Sequence, residues 1–536
     1  SAGLTFISSS SGQIDVSAST PGSYTVTYTA VATSCSSPSS QFVTIVASNT
    51  MDLSYSCNTY NINSGVQSPT LGGGVPTGGY YYSEPKGLFL DKDTGQITTA
   101  SSTIGDYEVY YSRSATTGTW TQIGSDIDAA TGASGAVTNT NRNGISVRLN
   151  AAGNVLITES SGNDNNGDYS GQSRVFYNNN GNWEQIGHNI GGENVQAATW
   201  HGDSSFQVDV NDKGDIIVMT NPLNDSSCSN CGRVIVLKLQ NGIWSQLGNE
   251  FYGTAVSSGT FGLAVSLNAA GDVLAIGDQL NDDAGTNRGA ISIYKYEGGS
   301  WVAKGSTVYP TEVGSTTHTN SEKWGDAIDL NDAGDILIAG SSAWNSNQGM
   351  FKVFKYNGTA WDIYGEPKNG GADSKYGHSV SINAAGNVIS IGSPKYSSGT
   401  PHKGRGYVFR LDESVSPNIW RNQQYGGALI DPNTERSFGY SQNTNELGTV
   451  NVMGAPNKGN STGRKGEVSV WRGIHRDIGG GVIEASQIQI GDYIDGEAAN
   501  DRFGWSVDIN DEGDIVAIGH GAAESMVLGN TLSKFL

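Results

Sequence analysis

Three observations predict an all-β fold made of seven repeated units. The first is the stretch FGLAVSLNAAGDVLAIG, residues 261–277, which reads as a strand, a tight turn at Asn268-Ala269-Ala270-Gly271 and a second strand. It has counterparts in ISVRLNAAGNVLIT from Ile145, FQVDVNDKGDIIVMT from Phe206, WGDAIDLNDAGDILIAG from Trp324, YGHSVSINAAGNVISIG from Tyr376, FGYSQNTNELGTVNVMG from Phe438 and FGWSVDINDEGDIVAIG from Phe503. Their turn glycines, Gly153, Gly214, Gly271, Gly334, Gly386, Gly448 and Gly513, lie 52 to 65 residues apart, a period that belongs to propellers, solenoids and arrays. The second is composition: 74 glycines in 536 residues, only 15% charged residues, and runs rich in Val, Ile, Thr and Tyr between Gly/Asn/Asp turns. The third is that no amphipathic stretch is long enough to predict a helix.

Taken in order, residues 1–112 carry a different repeat. GLTFISSSSGQIDVSASTPGSYTVTY (Gly3 to Tyr28) aligns with GLFLDKDTGQITTASSTIGDYEVYY (Gly87 to Tyr111) at an offset of about 83 residues. Each copy has alternating strands around a Ser-Gly or Thr-Gly turn, then a G-x-Y-x-V strand. This resembles the tandem Ig-like repeats of bacterial and phage surface proteins. The resemblance implies N-terminal β-sandwiches, a partial one over 1–49 and a second over 50–106. The chain opens at SAGLTFISS without an initiator Met, and the first copy lacks its front half. It is therefore expected to be a processed or excised piece of a longer chain, with neighbouring Ig-like repeats as partners.

From 107 to 536 each hairpin is followed by a loop, a third strand such as GAISIYKY (Gly289 to Tyr296), a second turn and a fourth strand carrying a tryptophan, as in GSWVAKG (Gly299 to Gly305). Four short antiparallel strands make the blade of a β-propeller. The tryptophans Trp120, Trp183, Trp244, Trp301, Trp361 and Trp420 are expected to pack against the neighbouring blade rather than to form a ring of ligand-stacking aromatics. The remaining copy has GVIEASQIQIG (Gly481 to Gly491) instead. The C-terminus supplies a first and second strand (Phe503 to Gly519), and Asp106 to Gly124 supplies DYEVYYS and GTWTQIG as a third and fourth. The expectation is a seven-bladed propeller closed by strands from both ends, which removes the open sheet edges. The competing reading gives 106–124 to the preceding domain as its last hairpin.

The opening FG-x-S-V, the A-I-G close of the second strand and the seven copies resemble FG-GAP repeats, the blades of integrin α-subunit propellers. Phe261-Gly262, Phe438-Gly439 and Phe503-Gly504 carry the FG, Gly454-Ala455-Pro456 the GAP, and Gly392-Ser393-Pro394 nearly so. The resemblance implies calcium in the turns between first and second strands, where such blades carry a D-x-D-x-D-G loop. Here the loop is Asn-Ala-Ala-Gly-Asp or Asn-Asp-Glu-Gly-Asp, too short to offer the six to eight oxygens that Ca²⁺ takes. Asn268, Asn331 and Asn510 are expected to cap the turn, with glycine at the positive-φ position. No ion is expected at Asp272, Asp335 or Asp514. Acidic clusters at Asn163-Asp164 with Asp168, and at Asn281-Asp282-Asp283, lie between second and third strands. Solvated loops are the simpler reading and Ca²⁺ the alternative. No cofactor is expected.

Of the four cysteines, Cys35 with Cys57 and Cys228 with Cys231 are candidate disulfides in an exported protein. Cys228-Ser-Asn-Cys231 has CxxC spacing but neither the βαβ context of redox chemistry nor the second pair that zinc wants. A net charge of −21 argues against nucleic acid as a partner, and no run of about 18 apolar residues predicts a membrane span. The seven histidines are scattered, with neither HExxH nor GxSxG. Paired carboxylates for glycoside hydrolysis need only spatial proximity and stay open.

Strands alternate direction within a blade, so loops between second and third strands share a face with the connections from fourth to first. Their lengths vary, as SAWNSNQG (Ser342 to Gly349) and SPKYSSGTPHKGRG (Ser393 to Gly406) illustrate, while the opposite turns hardly change. A rigid ring with one variable face suits recognition. Trp344, Tyr396, Asp282 and Asp283 are the candidate ligand-binding residues on it. The expected function is non-catalytic adhesion: a head on an Ig-like stalk, at a cell surface or virion surface, binding a host-surface glycan or protein. The alternatives are an assembly component of a virion fibre or surface filament, and a propeller glycoside hydrolase.

Overall fold

The computed structural model describes residues 119–128, 143–160, 171–191, 260–310, 322–396, 403–422, 437–459, 463–477, 483–521, 524–530, most of 207–254, and nine short stretches before residue 113. The chain divides after Arg113 into two compact units. In the first, the described strands pair in twos, for example Gly22–Tyr28 with Ser39–Ile45 and Tyr80–Glu84 with Glu108–Ser112, all antiparallel.

The second unit is all β and has seven sheets. Blade 1 runs Asn143–Leu149, Val155–Ser160, Gln172–Asn179, Asn182–Gln185. Blades 2 to 6 begin at Val208–Val210, Phe261–Leu267, Ala327–Leu330, Ser379–Ile382 and Ser441–Thr444, and blade 7 at Phe503–Ile509. First strands of successive blades, blade 7 to blade 1 included, pack against one another around the axis. Second strands lie between neighbouring blades, which is why Val155–Ser160, Val273–Asp278, Ile336–Ser341 and Val388–Ser393 are buried at every position.

Blade 7 joins both ends of the unit in a way that differs from expectation. Its third strand is Glu524–Asn530, which follows Ile515–His520 directly, and Trp120–Gln122 is the fourth. The DYEVYYS strand pairs instead with Tyr80–Glu84 in the first unit. A short connection makes the C-terminal hairpin the nearest partner for the second strand, so the other end of the chain needs to supply only the outermost strand. Phe503–Ile509 and Trp120–Gln122 thus bracket a ring whose described sheets leave no blade open.

The repeated residues explain themselves at the seams. In every blade the turn asparagine accepts two backbone N–H bonds, as Asn268 Oδ1 does from Asp272 (2.9 Å) and Val273 (2.7 Å), which caps the turn as expected. Asn268 Nδ2 also donates to the Asp332 carbonyl of the next blade at 3.2 Å. The FG glycine has φ +83° at Gly325. A Cβ on Gly277, in the preceding blade, would strike the Gly325 carbonyl, so glycine meets glycine where blades approach most closely. The aromatic before it, Phe261, Trp324, Tyr376, Phe438 or Phe503, is buried.

Trp183, Trp244, Trp301, Trp361, Trp420 and Trp120 each donate Nε1–H to a carbonyl at the end of the preceding blade's fourth strand: Ile123, Ile186, Leu247, Lys304, Tyr364 and Ile490. The tryptophan stripe is therefore inter-blade packing. The one α-helical segment among the described residues, Trp344–Asn347, is a left-handed turn, with φ +47° at Asn345, +61° at Ser346 and +68° at Asn347.

Candidate functional site

A cavity of about 740 Å³ opens where the first strands begin, on the face of the long loops. Every blade lines it. Its upper ring is the residue after each FG glycine: Ile145, Leu263, Asp326, His378, Tyr440 and Trp505. Three consecutive blades form an aromatic arc, with ring centroids 4.9 Å apart for both His378–Tyr440 and Tyr440–Trp505. Arg502 lies over Trp505 at 5.5 Å. Burial, with Lys375 nearby, pushes the His378 imidazole down to about 4, so it is neutral at physiological pH.

On the blade before the arc stands Asp326, whose Oδ2 accepts from Ser342 N (3.0 Å) and Oγ (2.6 Å) while Oδ1 has no partner. Burial raises it to about 6 against those bonds and against Lys375 and Lys323. Lys323 and Lys375 flank it, and each precedes the aromatic of its blade with φ at +56° and +51°. Burial and then Lys395 lower the Lys375 ammonium. Gln442, 7% exposed, lines the wall with Nε2 bonded to the Ser390 carbonyl and Oε1 unpartnered.

Arg148 forms the floor, with Asp209 at 3.7 Å. It couples also to Asp329 and Asp508, which places four blades' side chains at the axis. Each of these carboxylates accepts a backbone N–H from the next blade: Asp209 from Leu267 (2.7 Å), Asp329 from Ile382 (2.9 Å), Asp508 from Leu149 (2.6 Å). Burial nonetheless dominates and pushes Asp209 up to about 7 and Asp329 up to about 6. On the opposite face the turns bring Asp212, Asp332, Glu446 and Asp511 close enough to repel. Asp511 rises to about 7 and Asp332 to about 6, first by burial and then by this crowding.

The residues singled out from sequence lie elsewhere on the loop face. Trp344 is half-buried in the left-handed turn, where its neighbours Ala343, Ser346 and Asn347 line the cavity and it does not. Tyr396 is half-buried with the Arg405 guanidinium 3.6 Å above its ring, so that face is already stacked. Asp282 and Asp283 are exposed. Asp282 Oδ1 accepts from Asn287 N at 2.6 Å, and Asp283 is tied to Asn281 and Tyr309. Among the described residues no three His, Cys, Asp or Glu side chains converge to hold a metal ion. The Asp164 and Asp168 cluster lies outside the described residues, as do Cys35 and Cys57. Cys228 and Cys231 form a disulfide, Cα atoms 5.3 Å apart, in the loop between the second and third strands of blade 2. At the turns, Asp272 pairs with Lys295 at 2.6 Å, and Asp335 and Asp514 accept from Asn331 (3.0 Å) and Asn510 (2.8 Å). Those oxygens serve the turn.

No protein-family model matches the sequence, and no curated protein matches it.

Proposed function

We propose that this chain is a non-catalytic recognition module: an FG-GAP-type propeller head, carried on Ig-like repeats at a cell or virion surface, that binds a host-surface glycan or protein through its loop face. The observation that supports this reading is the axial cavity. It is preformed, polar, edged by an aromatic arc, and lies on the face with variable loops, as binding sites on rigid scaffolds do. Sugar rings stack on such aromatics while amides and hydroxyls bond their hydroxyl groups. Among the described residues a single carboxylate, Asp326, lines the cavity, whereas glycoside hydrolysis takes two. That favours binding over catalysis.

The test is attachment of the full chain to a glycan array and to intact cells, beside a Tyr440→Ala, Trp505→Ala variant. Selective attachment by the parent, lost in a variant with an unchanged melting temperature, is the expected result. Depolymerisation of a polysaccharide by the purified protein would establish the enzyme reading instead. Self-association into filaments without attachment would establish the assembly reading.

A further inference from the structure

We infer that the axial cavity selects an anionic saccharide, a carboxylated or sulfated sugar whose charge meets Lys323 and Lys375 and whose ring lies along Tyr440 or Trp505. This rests on the recognition reading and names the ligand class for the same site.

The sign of the charge reverses at the cavity. The chain has 51 acidic and 30 basic residues, so a surface drawn from it evenly would be acidic. Among the described residues the cavity lining instead carries Arg148, Lys323 and Lys375 against Asp326 alone. Arg148 is engaged by Asp209. Neither Lys323 nor Lys375 has a hydrogen-bond or ion-pair partner for its ammonium among the described residues. Lys395 stands close enough to Lys375 to repel it, with Asp373 and Asp326 as the nearby carboxylates. Like charges gathered beside one cavity are relieved by an anion.

Backbone conformation singles out the same two lysines. The residue before the FG aromatic is Lys323, Lys375, Ser437 or Arg502 in blades 4 to 7, and all four have positive φ, from +51° to +65°. Glycine or asparagine takes that conformation readily and lysine does not. Three cations in four such positions follow no local preference. A side chain kept where the backbone disfavours it is placed for what it reaches. Here two of the three reach the cavity, and the third, Arg502, lies over Trp505 at its rim.

Charge and aromatic surface meet in one cavity. A cavity of about 740 Å³ holds a short oligosaccharide. Tyr440 and Trp505 line the same cavity as the two lysines, so a sugar ring can pack along their edges while its charge meets an ammonium.

The experiment is calorimetric titration of the full chain with three tetrasaccharides of similar size: an oligogalacturonate, a heparin fragment and maltotetraose, with a glutamate oligopeptide as a fourth probe. An acidic saccharide should bind at least about tenfold more tightly than maltotetraose, and raising salt from about 50 to 500 mM should weaken it. Which of the two acidic saccharides binds names the charged group. Lys323→Asn and Lys375→Asn should each weaken binding about tenfold or more while leaving the melting temperature unchanged or higher, since asparagine suits the backbone there. Equal binding of maltotetraose, unaffected by either substitution, overturns the anionic inference and leaves the recognition reading standing. Lysine-dependent capture of the glutamate peptide in place of the sugars overturns the saccharide class. Silence of all four probes overturns the inference, and the recognition reading then stands or falls by attachment to cells.

Discussion

The indole Nε1 of Trp301 donates to the carbonyl of Leu247, 2.8 Å away across the seam between blades 3 and 2. The contact is closed from the other side by Gly248, φ +76°, where a Cβ would come within 2.7 Å of the Trp301 ring. Six of the seven seams carry the same bond and five of them the glycine contact, so this bond is a unit of the propeller's cohesion rather than a local detail.

Removing it should show in stability. Trp301 is 5% exposed, and truncating a buried tryptophan costs about 3 to 5 kcal/mol. Trp301→Ala should therefore unfold at clearly lower urea. Trp301→Phe, which keeps most of the apolar area and orphans the Leu247 carbonyl, should lose about 1 to 3 kcal/mol. Equal midpoints for Trp301→Phe and the parent would show that the bond contributes nothing.

Ring closure depends on Gly519. A Cβ there would strike the Gly144 carbonyl, where blade 7 meets blade 1. Gly519→Ala should destabilise by roughly 1 to 3 kcal/mol, the range for overpacking a tight contact. It should also raise hydrogen exchange in Asn143–Leu149 and Phe503–Ile509 before it does so in blade 4. Uniform exchange around the ring would contradict a closure-specific effect.

The carboxylates at the axis and in the turns of the opposite face set a pH dependence. An ordinary aspartate titrates near 3.8. In the folded chain Asp209 and Asp511 reach about 7 and Asp329 and Asp332 about 6, and Asp508 is also raised. Between about pH 4 and 7 the folded state therefore holds protons that the unfolded state has released, so these groups make stability fall as pH rises. His378, lowered to about 4 from 6.5, acts oppositely between about pH 4 and 6.5, and His520, also lowered, acts in the same direction as His378. These carboxylates, with Asp326 also raised to about 6, outweigh the two histidines, so the melting temperature should be higher at pH 5 than at pH 8. Asp209→Asn, which keeps an acceptor for the Leu267 N–H and removes a titration, should flatten the profile. A melting temperature that rises steadily from pH 5 to 8 would refute the assignment.

Much of this architecture is written locally. A turn asparagine bonds N–H groups four and five residues ahead, as Asn268 bonds Asp272 and Val273, so each hairpin is specified within about a dozen residues. The all-β class, the seven units and the packing role of the tryptophans follow from that alone. The identity of the strand beside Ile515–His520 does not. Glu524–Asn530 carries little strand patterning, and its outer neighbour Trp120–Gln122 lies some 400 residues away, paired as Trp120 with Asn530. Only the closed ring decides that choice, because a strand edge left bare there would have no partner. The cavity is likewise a property of closure. His378, Tyr440 and Trp505 occupy one register position in three repeats, and that position is visible in the sequence. That it faces an axis, beside lysines in a left-handed backbone and away from Trp344 and Tyr396, depends on seven blades meeting, and no single stretch of chain encodes that meeting.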